Sequence, residues 1–99
     1  VPRVPEGMTS VWAQYTIRLT AGTRDAFAAA LKAEGVPTAV YYPIPLHLQQ
    51  AYKHYPVGKG GVAVSEKLAA EVISLPMHPY LDEATQGRIV DAVRRALKA

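Results

Sequence analysis

The sequence predicts a small α/β domain of the α+β type, a two-layer sandwich in which about three short strands carry helices on one face. Three features of the chain support this prediction. One segment alternates between its two faces, three segments repeat apolar residues at helical spacing, and prolines end the two later strand-like segments. The chain has 99 residues, which is enough for one domain and too few for two.

The first strand and the first helix follow from residues 10–34. Residues 10–19 have the period of a half-buried strand, and one face of it carries Val11, Ala13, Tyr15, Ile17 and Leu19. A helix is predicted over residues 24–34, because Thr23 suits its N-cap and Gly35 suits the left-handed position after its last turn. Its apolar face is formed by Phe27, Ala30 and Leu31.

Residues 36–42 return to strand-like composition, and the prolines after them end the strand, because proline cannot donate to a ladder. Pro43 and Pro45 also favour extended geometry at the residues before them, Tyr42 and Ile44. A stiff, extended exit from the strand is therefore expected, with a short helix after it over residues 47–52.

The second half of the chain predicts a helix, a short strand and a final helix. The helix covers residues 63–73, with Leu68, Ala69 and Val72 on one face. The strand covers residues 74–77 and is stopped by prolines. Asp82 is expected to cap the last helix. The core stripe of that helix is predicted at Ile89, Val93, Ala96 and Leu97.

Charge and composition exclude several classes of protein. The net charge is +3, and much of the excess lies at the end of the last helix, where cations complement the helix dipole. No basic stripe of the kind that binds nucleic acid is present. The chain has no cysteine, which excludes disulfides and thiolate metal sites and fits a reducing compartment.

No segment predicts membrane insertion or secretion. There is no apolar run of the roughly 20 residues that a membrane helix needs, and the start VPRVPEGMTS lacks the apolar core of a signal peptide. We therefore expect a cytoplasmic protein with a linker at residues 1–8 and one domain at residues 9–99. Because the sequence does not begin with Met, we expect it to be a processed product or an excised piece of something longer.

The stretch with the most side chains suited to binding a ligand is YYPIPLHLQQ, residues 41–50. Tyr41, Tyr42, His47 and Gln50 place two phenols, an imidazole and an amide on a stiff strand exit, which can orient a ligand at low entropic cost. The alternative is that the tyrosines are ordinary strand aromatics and that His47 caps the short helix. Both interpretations stay open from these residues alone.

Other candidate sites are weaker. SLPMHPY, residues 74–80, has a similar composition, but for His78 a tight proline-braced connection is favoured over a site. The three histidines lack the short spacing of metal ligands, GKGG at residues 58–61 is not a P-loop, and no nucleophile–base pair is evident. The residues by themselves therefore predict a compact module with no catalytic residues and no metal or cofactor ligands.

Three runs in this order resemble a known family: VWAQYTIRL, then GVPTAVYYPIPLHLQQAY, then SEKLAAEVISLPMHPYLDEA. The chain resembles, over residues 9–97, the C-terminal part of the DegT/DnrJ/StrS family of PLP-dependent aminotransferases, which act on nucleotide-linked keto sugars. The resemblance implies a small domain that caps the substrate. It also implies a separate large domain that carries PLP on a lysine, and a homodimer.

The same resemblance places the substrate-lining residues at Tyr41, Tyr42 and His47. It places structural prolines at Pro43, Pro45, Pro76 and Pro79. Many relatives have His where this chain has Tyr41, and the YYPIPLH variant is similar to relatives that make 3-amino sugars from UDP-linked 3-keto hexuronates.

The resemblance further implies amino transfer from glutamate, for cell-surface polysaccharide or amino-sugar synthesis, with PLP in the parent protein. None of the lysines of this chain lies in the family's lysine motif, so we expect this fragment to bind no PLP and to be inactive alone. The alternative function is a non-enzymatic α/β module that binds a protein or a small ligand.

Overall fold

The computed structural model describes residues 3–20 and 22–98. It contains two strands, three α-helices and one 3₁₀ turn: β1 (Tyr15–Arg18), α1 (Arg24–Ala33), the 3₁₀ turn (Leu46–Leu48), α2 (Ala63–Glu71), β2 (Val72–Leu75) and α3 (Glu83–Ala96). The predicted mixed α/β class is confirmed. Residues 1 and 2 of the predicted linker, and Ala21 and Ala99 of the predicted domain, lie outside the described residues.

The sheet of the described residues is a two-stranded antiparallel pair. Ile17 lies opposite Ile73 on one face. On the other face Thr16 lies opposite Ser74, and their hydroxyls are 2.8 Å apart. The first strand is shorter than the predicted residues 10–19, because Trp12 has a φ of +43°, which breaks the extended conformation before β1.

The predicted third strand at residues 36–42 is wrong except at one position. Ala39 forms an isolated bridge with Ser74, with N–O distances of 3.1 and 2.7 Å. Pro37 has no N–H to donate, and Tyr42 adopts a φ of +60°, which no strand tolerates. The segment therefore touches the sheet at its edge and then turns away from it.

The core lies between the apolar face of the sheet and helices α1 and α3, which pack against each other. Leu31 and Ile73 are fully buried, and Phe27 is 4% exposed. Ile89 and Ala92 contribute from α3. This layer of helix on sheet confirms the predicted two-layer arrangement for α1 and α3 and holds β2 in place.

Of the two predicted helix caps, the structure shows one and lacks the other. The Asp82 carboxylate accepts a hydrogen bond of 2.7 Å from the Thr85 N–H, so the predicted cap of α3 is confirmed. Thr23 makes no side-chain cap, because its hydroxyl donates instead to the Thr20 carbonyl at 2.7 Å. Gly35 has the predicted left-handed φ, +71°. Leu97 is 61% exposed, so its predicted place in the core is wrong: it follows the last residue of α3.

Helix α2 ends at Glu71, earlier than the predicted residue 73, because the chain passes directly into β2 at Val72. Two arginines fix this junction. Arg24 donates to the Ala69 carbonyl, which is one of the carbonyls that a helix end leaves without an intrahelical partner. Arg18 donates to the buried Glu71 carboxylate. The two bonds therefore fix the end of α2 to β1 and α1.

Candidate functional site

A cleft of about 550 Å³ lies between residues 41–58 and helix α2. Tyr41, Tyr42 and His47, the three substrate-lining residues predicted from the sequence, all line it. The structure therefore brings the predicted residues to one surface. We call this surface the aromatic cleft, and its remaining lining residues are Pro45, Leu46, Tyr52, Tyr55, Pro56, Val57, Gly58, Val62, Ser65, Leu68, Ala69 and Val72.

The near wall of the aromatic cleft is stiffened by its own hydrogen bonds. Pro45 is the N-cap of the 3₁₀ turn, and its carbonyl accepts from the Leu48 N–H at 2.9 Å. The Gln49 side chain donates to the Ile44 carbonyl at 3.1 Å. The predicted short helix over residues 47–52 is therefore a 3₁₀ turn that begins one residue earlier and continues as turns, since Tyr52 N–H bonds the Gln49 carbonyl at 2.9 Å.

Tyr42 departs from the predicted extended geometry. Its φ is +60°, a left-handed conformation that costs a non-glycine residue about 1 kcal/mol or more. The residue is 80% exposed and lines the aromatic cleft. Backbone strain of this kind is concentrated at functional sites, and here it directs a phenol outward from a proline-braced segment.

His47 faces the second wall of the cleft. Its side chain is 18% exposed, and its Nε2 lies 2.9 Å from Glu66 Oε1 on α2. The histidine therefore bridges to another element and does not cap a helix. Sequence reasoning missed Glu66, because a separation of 19 residues leaves no local pattern that joins it to His47.

The rim of the cleft contains more aromatic residues than the sequence predicted. The Tyr52 and Tyr55 ring centroids are 6.4 Å apart, and His54 packs on Tyr55 at 4.4 Å. The floor is apolar, with Leu68, Ala69 and Val72 among its residues. Such a surface suits a ring that stacks on aromatic side chains and carries polar groups at its edge. Gln50, predicted with this group, lies instead beside Tyr42 on a neighbouring surface.

The second sequence motif forms a separate and smaller cavity of about 320 Å³, which Pro76 and His78 line together with Tyr41. His78 Nδ1 accepts from the Tyr80 N–H, and the His78 carbonyl accepts from the Leu81 N–H, both at 3.2 Å. These bonds support the interpretation of this segment as a tight connection between β2 and α3. Tyr41 is shared by the two surfaces.

One carboxyl close to the second cavity has a shifted pKa. Hydrogen bonding from Thr85 lowers the pKa of Asp82, and the charge of His78 acts in the same direction. Within residues 3–20 and 22–98, no group of three or more His, Asp or Glu is placed to hold a metal ion. In that same part of the chain, no helix is long and apolar enough to cross a membrane.

Comparison with known proteins adds independent information. The sequence profile of the DegT/DnrJ/EryC1/StrS aminotransferase family matches residues 1–94. The chain is 49% identical over 84 residues to the UDP-2-acetamido-2-deoxy-3-oxo-D-glucuronate aminotransferase of Pseudomonas aeruginosa. This match covers 85% of this chain and 22% of that protein. It is 44% identical over 97 residues to the UDP-N-acetyl-3-dehydro-alpha-D-glucosamine 3-aminotransferase of Acidithiobacillus ferrooxidans. This match covers 98% of this chain and 25% of that protein.

Solved structures give the same result. The chain superposes on a DegT DnrJ EryC1 StrS aminotransferase from Brucella abortus with a TM-score of 0.88 and 53% identity, over 96% of this chain and 25% of that one. It superposes on S. venezuelae DesV, solved with a ketimine intermediate, with a TM-score of 0.87 and 34% identity. This superposition covers 99% of this chain and 26% of that one. The chain thus spans about a quarter of the length of these relatives.

Proposed function

Because the chain belongs to the DegT/DnrJ/EryC1/StrS aminotransferase family, we propose that it is the small, substrate-capping C-terminal domain of a PLP-dependent sugar aminotransferase. Residues 9–99 form this domain, and residues 1–8 link it to the rest of the parent chain. The parent enzyme transfers an amino group from glutamate to a nucleotide-linked keto sugar. The main observation in support of the proposal is that Tyr41, Tyr42 and His47 line one cleft.

The aromatic cleft has the chemistry of a sugar-binding surface. Tyrosine rings offer flat apolar faces on which the C–H face of a pyranose packs, and their hydroxyls reach the polar edge of the sugar. The two relatives above are named for 3-oxo and 3-dehydro UDP sugars. We therefore propose a UDP-linked 3-keto hexose or hexuronate as substrate, in a cytoplasmic route to an amino sugar of the cell surface.

The residues of this chain do not fit PLP as a covalent partner. The five lysines are Lys32, Lys53, Lys59, Lys67 and Lys98, and none of them lines the aromatic cleft. We infer that the amine that holds the cofactor belongs to the rest of the parent protein. The proposed contribution of this domain is to bind the sugar, orient it and exclude water from it.

The exposed surface supports a neighbour for this domain. Tyr42, Ile44, Leu46 and Leu48 are 80%, 53%, 62% and 53% exposed. Tyr42 and Leu46 line the aromatic cleft, and Ile44 and Leu48 lie with Tyr42 on the neighbouring surface, so an exposed apolar row extends from the cleft onto that surface. The radius of gyration is 16.0 Å, against about 13 Å for a compact domain of this length. We propose that the large domain of the parent covers this row, in a homodimer.

The test uses the full-length parent protein with PLP, glutamate and a UDP-linked 3-keto sugar, and it measures the amino-sugar product by mass spectrometry. His47→Ala and Tyr42→Phe are expected to raise KM for the sugar, because each removes a polar contact. Tyr80→Phe is the matched control, since Tyr80 is 89% exposed and lies outside the lining of the aromatic cleft. No amino transfer to any UDP keto sugar would refute the proposed function.

One observation favours a second candidate function, a non-enzymatic interaction module: the same exposed apolar row is also what a protein partner would bind. The two functions differ in the effect of Ile44→Asp. An interaction module loses its partner and has no transaminase activity to lose. The enzyme keeps a UDP-sugar site and loses the association of its own domains.

A further inference from the structure

The His47 ring is held on one edge by a carboxylate. Its Nε2 lies 2.9 Å from Glu66 Oε1, and no other hydrogen bond to the ring is formed by the described residues, 3–20 and 22–98. His47 belongs to the 3₁₀ turn, and Glu66 belongs to the first turn of α2. The contact therefore joins the two walls of the aromatic cleft.

The donor and acceptor roles follow from the chemistry of the pair. An ionised carboxylate only accepts hydrogen bonds, so the proton between the two groups belongs to Nε2 of His47. In a neutral imidazole with its proton on Nε2, the other nitrogen carries a lone pair and accepts. The side chain is only 18% exposed and lines the aromatic cleft, so a ligand bound in the cleft lies against the ring.

We propose that Glu66 is a positioning residue, which holds His47 in the Nε2–H tautomer so that Nδ1 accepts a hydrogen bond from the substrate. The donor is a hydroxyl or an amide N–H on the sugar ring. Ionised phosphate oxygens only accept, so this tautomer excludes the diphosphate as the hydrogen-bond partner of Nδ1. The identity of the ligand rests on the proposed function, whereas the tautomer does not.

A purely structural role for Glu66 makes a different prediction. A negative charge in the first turn of any helix interacts favourably with the helix dipole, and Glu83 occupies that position in α3. Glu83→Ala therefore removes the same dipole interaction without touching His47. It is the matched control for Glu66→Ala in both experiments below.

The first experiment measures the ¹⁵N shifts of histidine in the full-length, PLP-loaded parent without substrate, with the His47 signals assigned by their loss in His47→Ala. We expect the Nε2–H pattern in the wild type and a mixture of tautomers in Glu66→Ala. Glu66→Gln should keep the pattern, because its amide oxygen still accepts from Nε2–H. A wild-type Nδ1–H tautomer, or an equal change in Glu83→Ala, overturns the proposal.

The second experiment measures the binding of a UDP-linked sugar to the same variants. Glu66→Ala should weaken binding about two- to tenfold, the value of one hydrogen bond. In a His47→Ala background it should cause no further loss, because the two residues act through one contact. Equal losses in both backgrounds overturn the positioning role.

The two experiments separate this inference from the proposed function. If His47→Ala leaves the binding of the UDP-linked sugar unchanged, the assignment of the aromatic cleft to the sugar is wrong. The nitrogen shifts still report whether Glu66 sets the tautomer. Circular dichroism of Glu66→Gln, which keeps the shape of the side chain, checks that α2 is intact in the variant.

Discussion

Arg18 in β1 donates from Nε to the carboxylate of Glu71, the last residue of α2, and this carboxylate is almost fully buried at 3% exposure of the residue. A second hydrogen bond joins the same two segments, from the Leu19 N–H to the Glu71 carbonyl at 2.9 Å. The pair fixes the junction between α2 and β2. The floor of the aromatic cleft, which includes Ala69 and Val72, depends on that junction.

Arg18→Ala is therefore expected to destabilise the domain by about 2–3 kcal/mol, because it leaves a buried carboxylate without its charged partner. Urea unfolding measures the free energy. Arg94→Ala is the control, since Arg94 is exposed and lies 3.5 Å from the exposed Asp91, a pair that should contribute little. Adding Glu71→Gln to Arg18→Ala should recover part of the loss; an additive loss would contradict the pairing.

Leu31→Ala should cost about 3–5 kcal/mol, because Leu31 is fully buried between the sheet and α3 and its truncation leaves a cavity. Leu97→Ala makes the same chemical change at a residue that is 61% exposed and should lie within about 0.5 kcal/mol of the wild type. Thermal and urea unfolding give both values. Similar losses at the two positions would place Leu97 in the core after all.

Tyr42→Gly should stabilise the fold by about 1 kcal/mol, since glycine adopts a φ of +60° without strain. The same change should raise KM for the sugar by removing the phenol from the cleft. Tyr80→Gly is the control, because Tyr80 is also exposed but is not among the residues of positive φ. A destabilised Tyr42→Gly would show that the left-handed backbone is not strained.

Asp82 should make the stability depend on pH. Its folded-state pKa lies below the ordinary value of 3.8, mainly because the carboxylate accepts a hydrogen bond from Thr85. The stabilisation is therefore fully present above the unfolded-state pKa and is lost as the pH falls through the lower folded-state pKa. The urea midpoints of the wild type and Asp82→Ala should differ at pH 7 and converge in acid. A gap that is constant with pH would contradict the cap.

PLP added to the 99-residue chain should form no internal aldimine, because none of its five lysines lines the aromatic cleft. Absorbance detects the aldimine, and borohydride reduction followed by mass spectrometry identifies any labelled lysine. The full-length parent, treated in the same way, is the positive control. Stoichiometric labelling of one lysine of the short chain would show that it carries a cofactor site of its own.

The sequence was sufficient for the elements whose signals are local. Asp82 caps α3 as predicted, and Gly35 takes the left-handed φ that ends α1. These features depend on residues within a few positions of each other. The predicted third strand failed at Pro37 and Tyr42, because a strand exists only where a neighbouring strand pairs with it, and here the pairing is limited to Ala39 and Ser74.

The amino-acid sequence by itself determined the α/β class, the C-terminal end of α1, the N-terminal cap of α3, and Tyr41, Tyr42 and His47 as the residues of interest. Only the tertiary structure joined those three residues in one cleft and gave His47 its partner Glu66. The physical reason is separation along the chain. Caps and periodicity are set by neighbours in sequence, whereas the cleft forms where α2 and the proline-braced segment, which are distant along the chain, meet through the contact of His47 with Glu66.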